Sequence, residues 1–219
     1  TDGFYIIPPS RDLKRTDLLR VDVKADSART VVHETLNTYV ETRTPRFING
    51  GREFIWWSER NGWAQLYLYG DDGTLKRQIT DGAYHVENVL AVDETAKVIY
   101  FQAMGVNKGE NPYNGHVYRI GFDGTGMKQL DDADFNSNSI SFSDDAKYFV
   151  SNFSRVDSTP QSALYDGTGR KTHLQEADLS LLSTWNLDEY SADGLAAVPH
   201  GHPLSYWRYM HEMLFSKFD

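Results

Sequence analysis

The sequence predicts an all-β fold, a partial β-propeller of about three and three-quarter four-stranded antiparallel blades followed by a C-terminal helix. Three observations carry that expectation. Asp-Gly-type turns recur along the chain, the same order of strand patterns returns between them, and the composition suits sheets and turns better than helical bundles. The last point rests on 13% aromatic residues and 17 Gly beside only 4 Met.

The turns are Lys24-Ala25-Asp26-Ser27, Asp71-Asp72-Gly73-Thr74, Phe122-Asp123-Gly124-Thr125-Gly126 and Tyr165-Asp166-Gly167-Thr168-Gly169. Successive Asp residues (Asp26, Asp72, Asp123, Asp166) stand 46, 51 and 43 positions apart, which is one four-stranded unit each. The clearest unit, 44–82, runs Arg46-Phe47-Ile48, Phe54-Ile55-Trp56-Trp57, Gln65-Leu66-Tyr67-Leu68-Tyr69 and Lys76-Arg77-Gln78-Ile79. The next, 84–133, places strands at Val86 to Leu90, Val98 to Phe101, His116 to Ile120 and Met127 to Leu130. A third, 137–178, places them at Ser139 to Phe142, Tyr148 to Val150, Ser162 to Tyr165 and Thr172 to Leu174. The segment 4–36 supplies Phe4 to Ile7, Leu18 to Val23 and Thr30 to Val32, a blade lacking its first strand. In such a blade the second strand is continuously apolar because both faces are buried. The third is expected to alternate and to turn through Asp-Gly into an exposed edge. A β-sandwich is the structural alternative, but it does not return one four-strand order three times.

Trp56 and Trp57 are neighbours on a strand and point to opposite faces, so both are expected as wedges between adjacent blades, with a ligand-lining role for Trp56, Trp57 and Trp63 as the alternative. An arc of under four blades leaves its end faces uncovered, which predicts a truncated larger propeller or one completed by another chain, a homo-oligomer included. The opening at Thr1, with strand-like Phe4 to Ile7 already following, is read as a start inside a longer parent.

Charge and composition exclude several functions. With 22 Lys+Arg against 31 Asp+Glu, a net charge of −9 and no basic run, nucleic acid is not an expected partner. No stretch approaches the roughly 18 apolar residues of a membrane helix. The absence of Cys removes thiolate chemistry and Cys-ligated zinc. His200, His202, His211 and Glu212 offer ligand chemistry without a recognised ligand spacing, so neither a metal nor a cofactor is expected. The Asp71-Asp72, Asp131-Asp132 and Asp144-Asp145 pairs are read as turn residues capping their own backbone. Residues 61–219 carry 12 basic and 22 acidic groups, either a solvated face or a preference for amine-bearing peptides.

The run Phe54-Ile55-Trp56-Trp57-Ser58-Glu59-Arg60-Asn61-Gly62-Trp63-Ala64-Gln65-Leu66-Tyr67-Leu68-Tyr69 resembles the second-to-third-strand segment of a propeller blade in the dipeptidyl peptidase IV branch of the prolyl oligopeptidase family. Ser10 to Arg15, Leu36 to Arg43, Gln78 to Gly82 and Asn152 to Asp157 resemble the same branch, so that the likeness covers about residues 4–182. It implies the propeller region that restricts access to an α/β-hydrolase domain in the parent, where peptide substrate is cleaved. It also suggests, by resemblance only, an exported or periplasmic location.

No Gly-x-Ser-x-Gly nucleophile elbow and no double-glutamate amine-binding motif occur in the chain, so no catalytic residue is transferred onto it. Arg43, in the link between two blades, is the one substrate-binding candidate, through a carboxylate contact. After Leu182 the likeness stops. Residues 183–219 form a divergent tail, with Leu204, Trp207, Met210, Leu214 and Phe218 at helix spacing over 204–218. The reading is therefore the non-catalytic propeller portion of a serine peptidase; a stand-alone propeller-type binding protein is the alternative, separated by whether coding sequence beyond Asp219 carries a nucleophile elbow.

Overall fold

The computed structural model describes residues 3–132, 135–155 and 158–176, with side chains through Thr172. Thr1–Gln175 forms one compact unit and Glu176–Asp219 another; the described strands belong to the first, which the last strand leaves by one residue. The expected tail of 183–219, its helix over 204–218 and the His200, His202, His211 and Glu212 set lie outside the described residues.

Among the described residues fifteen strands form four sheets, each a meander of sequential neighbours. The first holds β1 (Gly3–Ile6), β2 (Arg15–Asp22) and β3 (Ser27–Thr35). In the second are β4 (Arg46–Ile48), β5 (Glu53–Ser58), β6 (Gln65–Gly70) and β7 (Leu75–Gln78). The third contains β8 (His85–Asp93), β9 (Val98–Met104), β10 (Gly115–Gly121) and β11 (Lys128–Gln129). The fourth contains β12 (Asn136–Phe142), β13 (Tyr148–Arg155), β14 (Ser158–Asp166) and β15 (Lys171–Glu176). One 3₁₀ turn, Asn49–Gly51, is the helical element among the described residues. The chain folds as a partial β-propeller, as its repeat predicts.

The core lies between sheets rather than within any of them. Leu18, Val31 and Val32 of the first blade meet Phe54, Trp56, Tyr67 and Tyr69 of the second. The opposite face of the second blade, with Ile55, Trp57, Leu66 and Leu68, meets Ile99 and Phe101 of the third. Tyr100 and Val117 on the far side of the third meet Phe149, Phe153 and Tyr165 of the fourth. Period-two alternation thus sends Trp56 and Trp57 into different interfaces, as wedges between blades. Trp63 is 46% exposed and takes no part.

An aromatic ladder repeats at two joints. Tyr5 lies 4.6 Å from Phe47, followed by Phe54 and Tyr69; Tyr100 lies 4.9 Å from Phe142, followed by Phe149 and Tyr165. Ring pairs at these spacings add to simple area burial.

The expected alternation of the third strand is corrected. Every residue of β6 is buried, because a neighbouring blade covers each face of that strand. Alternation appears instead on β13, where Phe149, Ser151 and Phe153 face inward while Tyr148 and Val150 are exposed. Phe4 and Ile6 are likewise exposed on β1.

A second repeated device fixes each blade against the next. The Asp-Gly turn of one blade tucks against the last strand of its predecessor. At Gly73 (φ +92) a Cβ would stand 2.3 Å from the Val31 carbonyl oxygen, and Gly124 and Gly169 sit likewise against Ile79 and Leu130, so no side chain fits there. A cation from the preceding strand then donates to the turn's carbonyls: Arg29 to Asp71 (2.6 Å) and Asp72 (3.0 Å), Arg77 to Asp123 (2.8 Å), and Lys128 to Thr168 (2.8 Å). Because Arg29 lies on β3 as Arg77 lies on β7, β3 occupies the fourth-strand position and the first blade lacks its innermost strand.

Within the turns, Asp72 and Asp123 accept the Thr74 and Thr125 N–H groups at 2.9 and 3.0 Å, which holds both carboxyls below the usual carboxylate range. Asp145 accepts the Ser143 hydroxyl (2.7 Å) and the Lys147 N–H (3.2 Å), and its pKa is drawn down to about 2.

Truncating an inter-blade wedge opens a cavity that two blades cannot both fill. Trp56→Ala and Trp57→Ala are each expected to cost about 3–5 kcal/mol, and Trp63→Ala to stay within about 0.5 kcal/mol. Urea unfolding of the full chain measures all three; equal losses would show that the joints do not hold the fold.

Candidate functional site

In a meander of four strands the second-to-third loop and the connector to the next blade leave at one end. That end carries the loops 59–64 and 105–114, the connectors 36–45 and 79–84, and residues 130–132 of the connector to the fourth blade. The first blade adds its loop 7–14, because β1 stands at the second-strand position. Four exposed apolar side chains lie on this face: Leu13, Tyr39, Trp63 and Tyr113, the last 81% exposed. No other end of the sheets presents an exposed aromatic from a loop among the described residues.

Arg43 sits on the 36–45 connector, with 27% of its side chain exposed. Its Nη2 lies 2.8 Å from Glu41 Oε1 and 3.2 Å from Glu87 Oε1, and its guanidinium carbon is 4.9 Å from the centre of the Trp57 ring. Trp57 is fixed by donating its indole N–H to the Val86 carbonyl (2.7 Å), and His85 stands edge-on to that ring at 6.0 Å. His85 Nε2 in turn lies 3.2 Å from Glu87 Oε2. A cavity of about 340 Å³ opens beside these groups, lined by Arg43, Arg46, Trp57, Asn88 and Val89 among others.

The site's chemistry follows from this arrangement. Two carboxylates already neutralise the Arg43 guanidinium, which weakens its attraction for a third from a ligand. The buried Nε of Arg43 has no acceptor. The partly exposed remainder of the guanidinium can donate to a neutral oxygen such as a peptide carbonyl, whereas Glu41 and Glu87 together suit a cation.

Two polar clusters at the same end escape sequence reasoning. Glu34, buried on β3, accepts from the Trp56 indole N–H (3.0 Å), from the Ser58 hydroxyl and from Arg60 Nε (2.9 Å). Arg60 also donates to the Tyr69 hydroxyl (2.7 Å) and stacks over the Tyr67 ring at 4.4 Å. Glu34 shares the parity of Val32 on its strand, which marks it as inward-facing, but no pattern names its partner 26 residues on.

The second cluster corrects a turn assignment. Asp131 is not a turn cap, because its side chain is 2% exposed and faces His116. Asp132 interacts with Lys171 and accepts from the Tyr165 hydroxyl (3.3 Å). Asp71 does stay at its turn, 3.5 Å from Arg20.

Comparison with known proteins agrees with this architecture. The family model described as the dipeptidyl peptidase IV (DPP IV) N-terminal region matches residues 2–160. The chain belongs to the dipeptidyl peptidase IV N-terminal region family. Dipeptidyl peptidase 4 of Arthroderma otae is 30% identical over 129 residues, 58% of this chain and 16% of that protein. The Trichophyton rubrum protein of the same name is 29% identical over the same length.

Two solved structures share the fold. Porphyromonas gingivalis dipeptidyl peptidase 4 has a TM-score of 0.72 at 21% identity, covering 83% of this chain and 25% of that one. A putative dipeptidyl aminopeptidase IV from Bacteroides ovatus has a TM-score of 0.69 at 17% identity, covering 81% and 28%. The chain thus spans about a sixth of the length of these curated relatives. No helix among the described residues is long and apolar enough to cross a membrane.

Removing Arg60 alone leaves the Glu34 side chain buried and short of its cation. Arg60→Met is expected to cost near the low end of about 3–5 kcal/mol, since Trp56 and Ser58 still donate to the carboxylate. Glu34→Gln/Arg60→Met should be less destabilised than Arg60→Met itself, as chemical denaturation of the single and double variants will show.

Proposed function

We propose that this chain is the non-catalytic propeller portion of a dipeptidyl peptidase IV-like serine peptidase. In this reading its loop face borders the route by which peptides reach an active site carried elsewhere in the parent, on an α/β-hydrolase domain. Family membership supports the parent's class, and the names of the relatives supply the peptidase activity. The observation that carries the gating role is the loop face itself. It combines Leu13, Tyr39, Trp63 and Tyr113 with a cavity lined by Arg43, whose guanidinium lies beside two carboxylates.

A peptide presents both a main-chain carbonyl and, at its N-terminus, a cation. The Arg43 group offers a donor to the first and the Glu41 and Glu87 carboxylates an acceptor set for the second. Arg43 is therefore a peptide-binding residue here, through a carbonyl rather than the carboxylate contact first expected. None of these groups forms or breaks a bond.

In the full-length parent, Arg43→Ala is expected to lower kcat/KM for a dipeptide-releasing peptide substrate about tenfold, with the change carried by KM. One charge-assisted hydrogen bond of about 1.5 kcal/mol gives that factor. Unchanged kinetics remove Arg43 from the substrate route. The 219-residue chain alone is expected neither to hydrolyse such a substrate nor to react with a serine-directed covalent probe; labelling of any serine in it overturns the non-catalytic reading.

A further inference from the structure

His116, the second residue of β10, is 2% exposed and lies between two carboxylates from different segments. Its Nε2 is 2.6 Å from Glu110 Oε1, on the 105–114 loop, and its Nδ1 is 3.4 Å from Asp131 Oδ1, on the connector to the fourth blade. Both carboxylates are anchored independently of the histidine. Glu110 accepts from the Asn107 and Asn114 side-chain amides at 2.8 and 2.9 Å. Asp131 Oδ2 accepts the Val117 N–H (3.0 Å) and the Ser137 hydroxyl (2.6 Å), and Ser137 is bonded in turn to Ser151 of β13.

The corresponding place one blade earlier has a neutral solution. There Leu66 N–H donates to the Thr80 hydroxyl (2.8 Å), as Val117 N–H donates to Asp131, and Gln65 stands where His116 stands. The Gln65 amide reaches the Gly82 and Tyr84 carbonyls at 3.0 and 2.9 Å. A joint of this geometry therefore needs no ion. The third blade nonetheless buries three ionisable groups where the second uses Gln and Thr, and buried ions are seldom a gain in stability over a neutral equivalent.

We propose that the joint between the third and fourth blades is a pH-tuned clasp, closed while an imidazolium at His116 bridges Glu110 and Asp131. When that proton leaves, the carboxylates lose the charge that holds them together. The 105–114 loop, with exposed Tyr113, then loosens on the face that also carries Arg43.

Among the described residues, the charges facing His116 from the elements packed against it are these two carboxylates. Asn107, Asn114, Gln129, Ser137 and Ser151 are neutral, Asp132 is engaged with Lys171, and Tyr118 is a phenol pushed up by burial and by Asp131 and Glu110. Burial works against the charged imidazole, but Asp131 and Glu110 outweigh it and raise His116 above the ordinary 6.5. For Glu110, burial is outweighed by Asn114, Asn107 and His116, and its carboxyl is held below the ordinary 4.5.

The signs give a window. A raised histidine stabilises fully below about 6.5 and loses that contribution as pH rises through its folded value. A lowered glutamate stabilises above about 4.5 and loses its contribution as pH falls through its folded value. The stabilisation is complete between these limits, in mildly acidic solution, and the clasp opens beyond them, where pH rises through the folded value of His116 or falls through that of Glu110.

The test transplants the neutral solution of the second blade. In the full chain, Glu110→Gln/His116→Gln/Asp131→Thr is compared with wild type by Tm between about pH 4 and pH 9. The wild-type chain is expected to show its greatest Tm relative to the variant near pH 5.5, and that advantage is expected to shrink toward pH 9. A difference that does not vary with pH overturns the proposal and leaves a merely structural cluster. NMR titration of the His116 imidazole in the wild-type chain is the second measurement, and it decides the matter alone should the variant fail to fold. Protonation persisting above pH 6.5 supports the clasp; titration at or below that value overturns it.

Discussion

The middle strands of the second and third blades are buried on both faces, and most of what is distinctive in the structure answers that condition. A strand so placed has no solvent side, so each of its residues must suit one neighbouring blade or the other. Phe54 and Trp56 serve one joint, and Ile55 and Trp57 serve the next. Hydrophobic burial has no preferred direction, however, and would let blades slide over one another. Directional contacts remove that freedom. The turn glycines fit flush against the preceding strand, and Arg29, Arg77 and Lys128 each grip backbone carbonyls of the following turn. The outer rim of each joint is thereby fixed by backbone geometry and a long cation, whatever the side chains of the turn.

The opposite ends of the joints are closed in three chemically different ways. An ionic cluster of Glu34 and Arg60 closes the first, a neutral Gln65 and Thr80 pair the second, and His116 with two carboxylates the third. The backbone demand is common to the last two, an N–H at the start of the third strand that needs an acceptor from the connector. Once that demand is met, the remaining chemistry is free to vary between repeats. The loops that depart from these ends are also the ones that carry the exposed aromatic groups and Arg43. Variation at the joints is therefore variation at the base of the candidate binding face.

Arg43 illustrates how placement redefines a residue's chemistry. A lone arginine in a connector reads as a carboxylate receptor. Held between Glu41 and Glu87 and stacked on Trp57, it has little net charge to offer, and its buried Nε is left without an acceptor. The indole that supports it is one of the wedges of the second joint, so the packing of the blades and the form of the cavity are set by the same side chain.

The repeat, the strand order and the positions of the Asp-Gly turns were legible from residues near one another, because turn chemistry and period-two patterning are local. That Trp56 and Trp57 face opposite neighbouring blades followed from adjacency alone. The double-sided burial of β6 did not, since alternation of residue type disappears when both faces are covered and its absence reads equally as any short apolar strand. Glu34 with Arg60, and His116 with Glu110 and Asp131, were illegible for a different reason. Their partners come from separate loops and connectors, and a carboxylate beside a turn looks the same in sequence whether it caps that turn or reaches across a joint. What sequence settled was the identity of the repeating unit. Which polar groups meet, and hence which charges are neutralised and which N–H is left without an acceptor, was decided only when neighbouring blades were brought into register, because Coulomb and hydrogen-bond energies depend on separations in space that the order of residues does not contain.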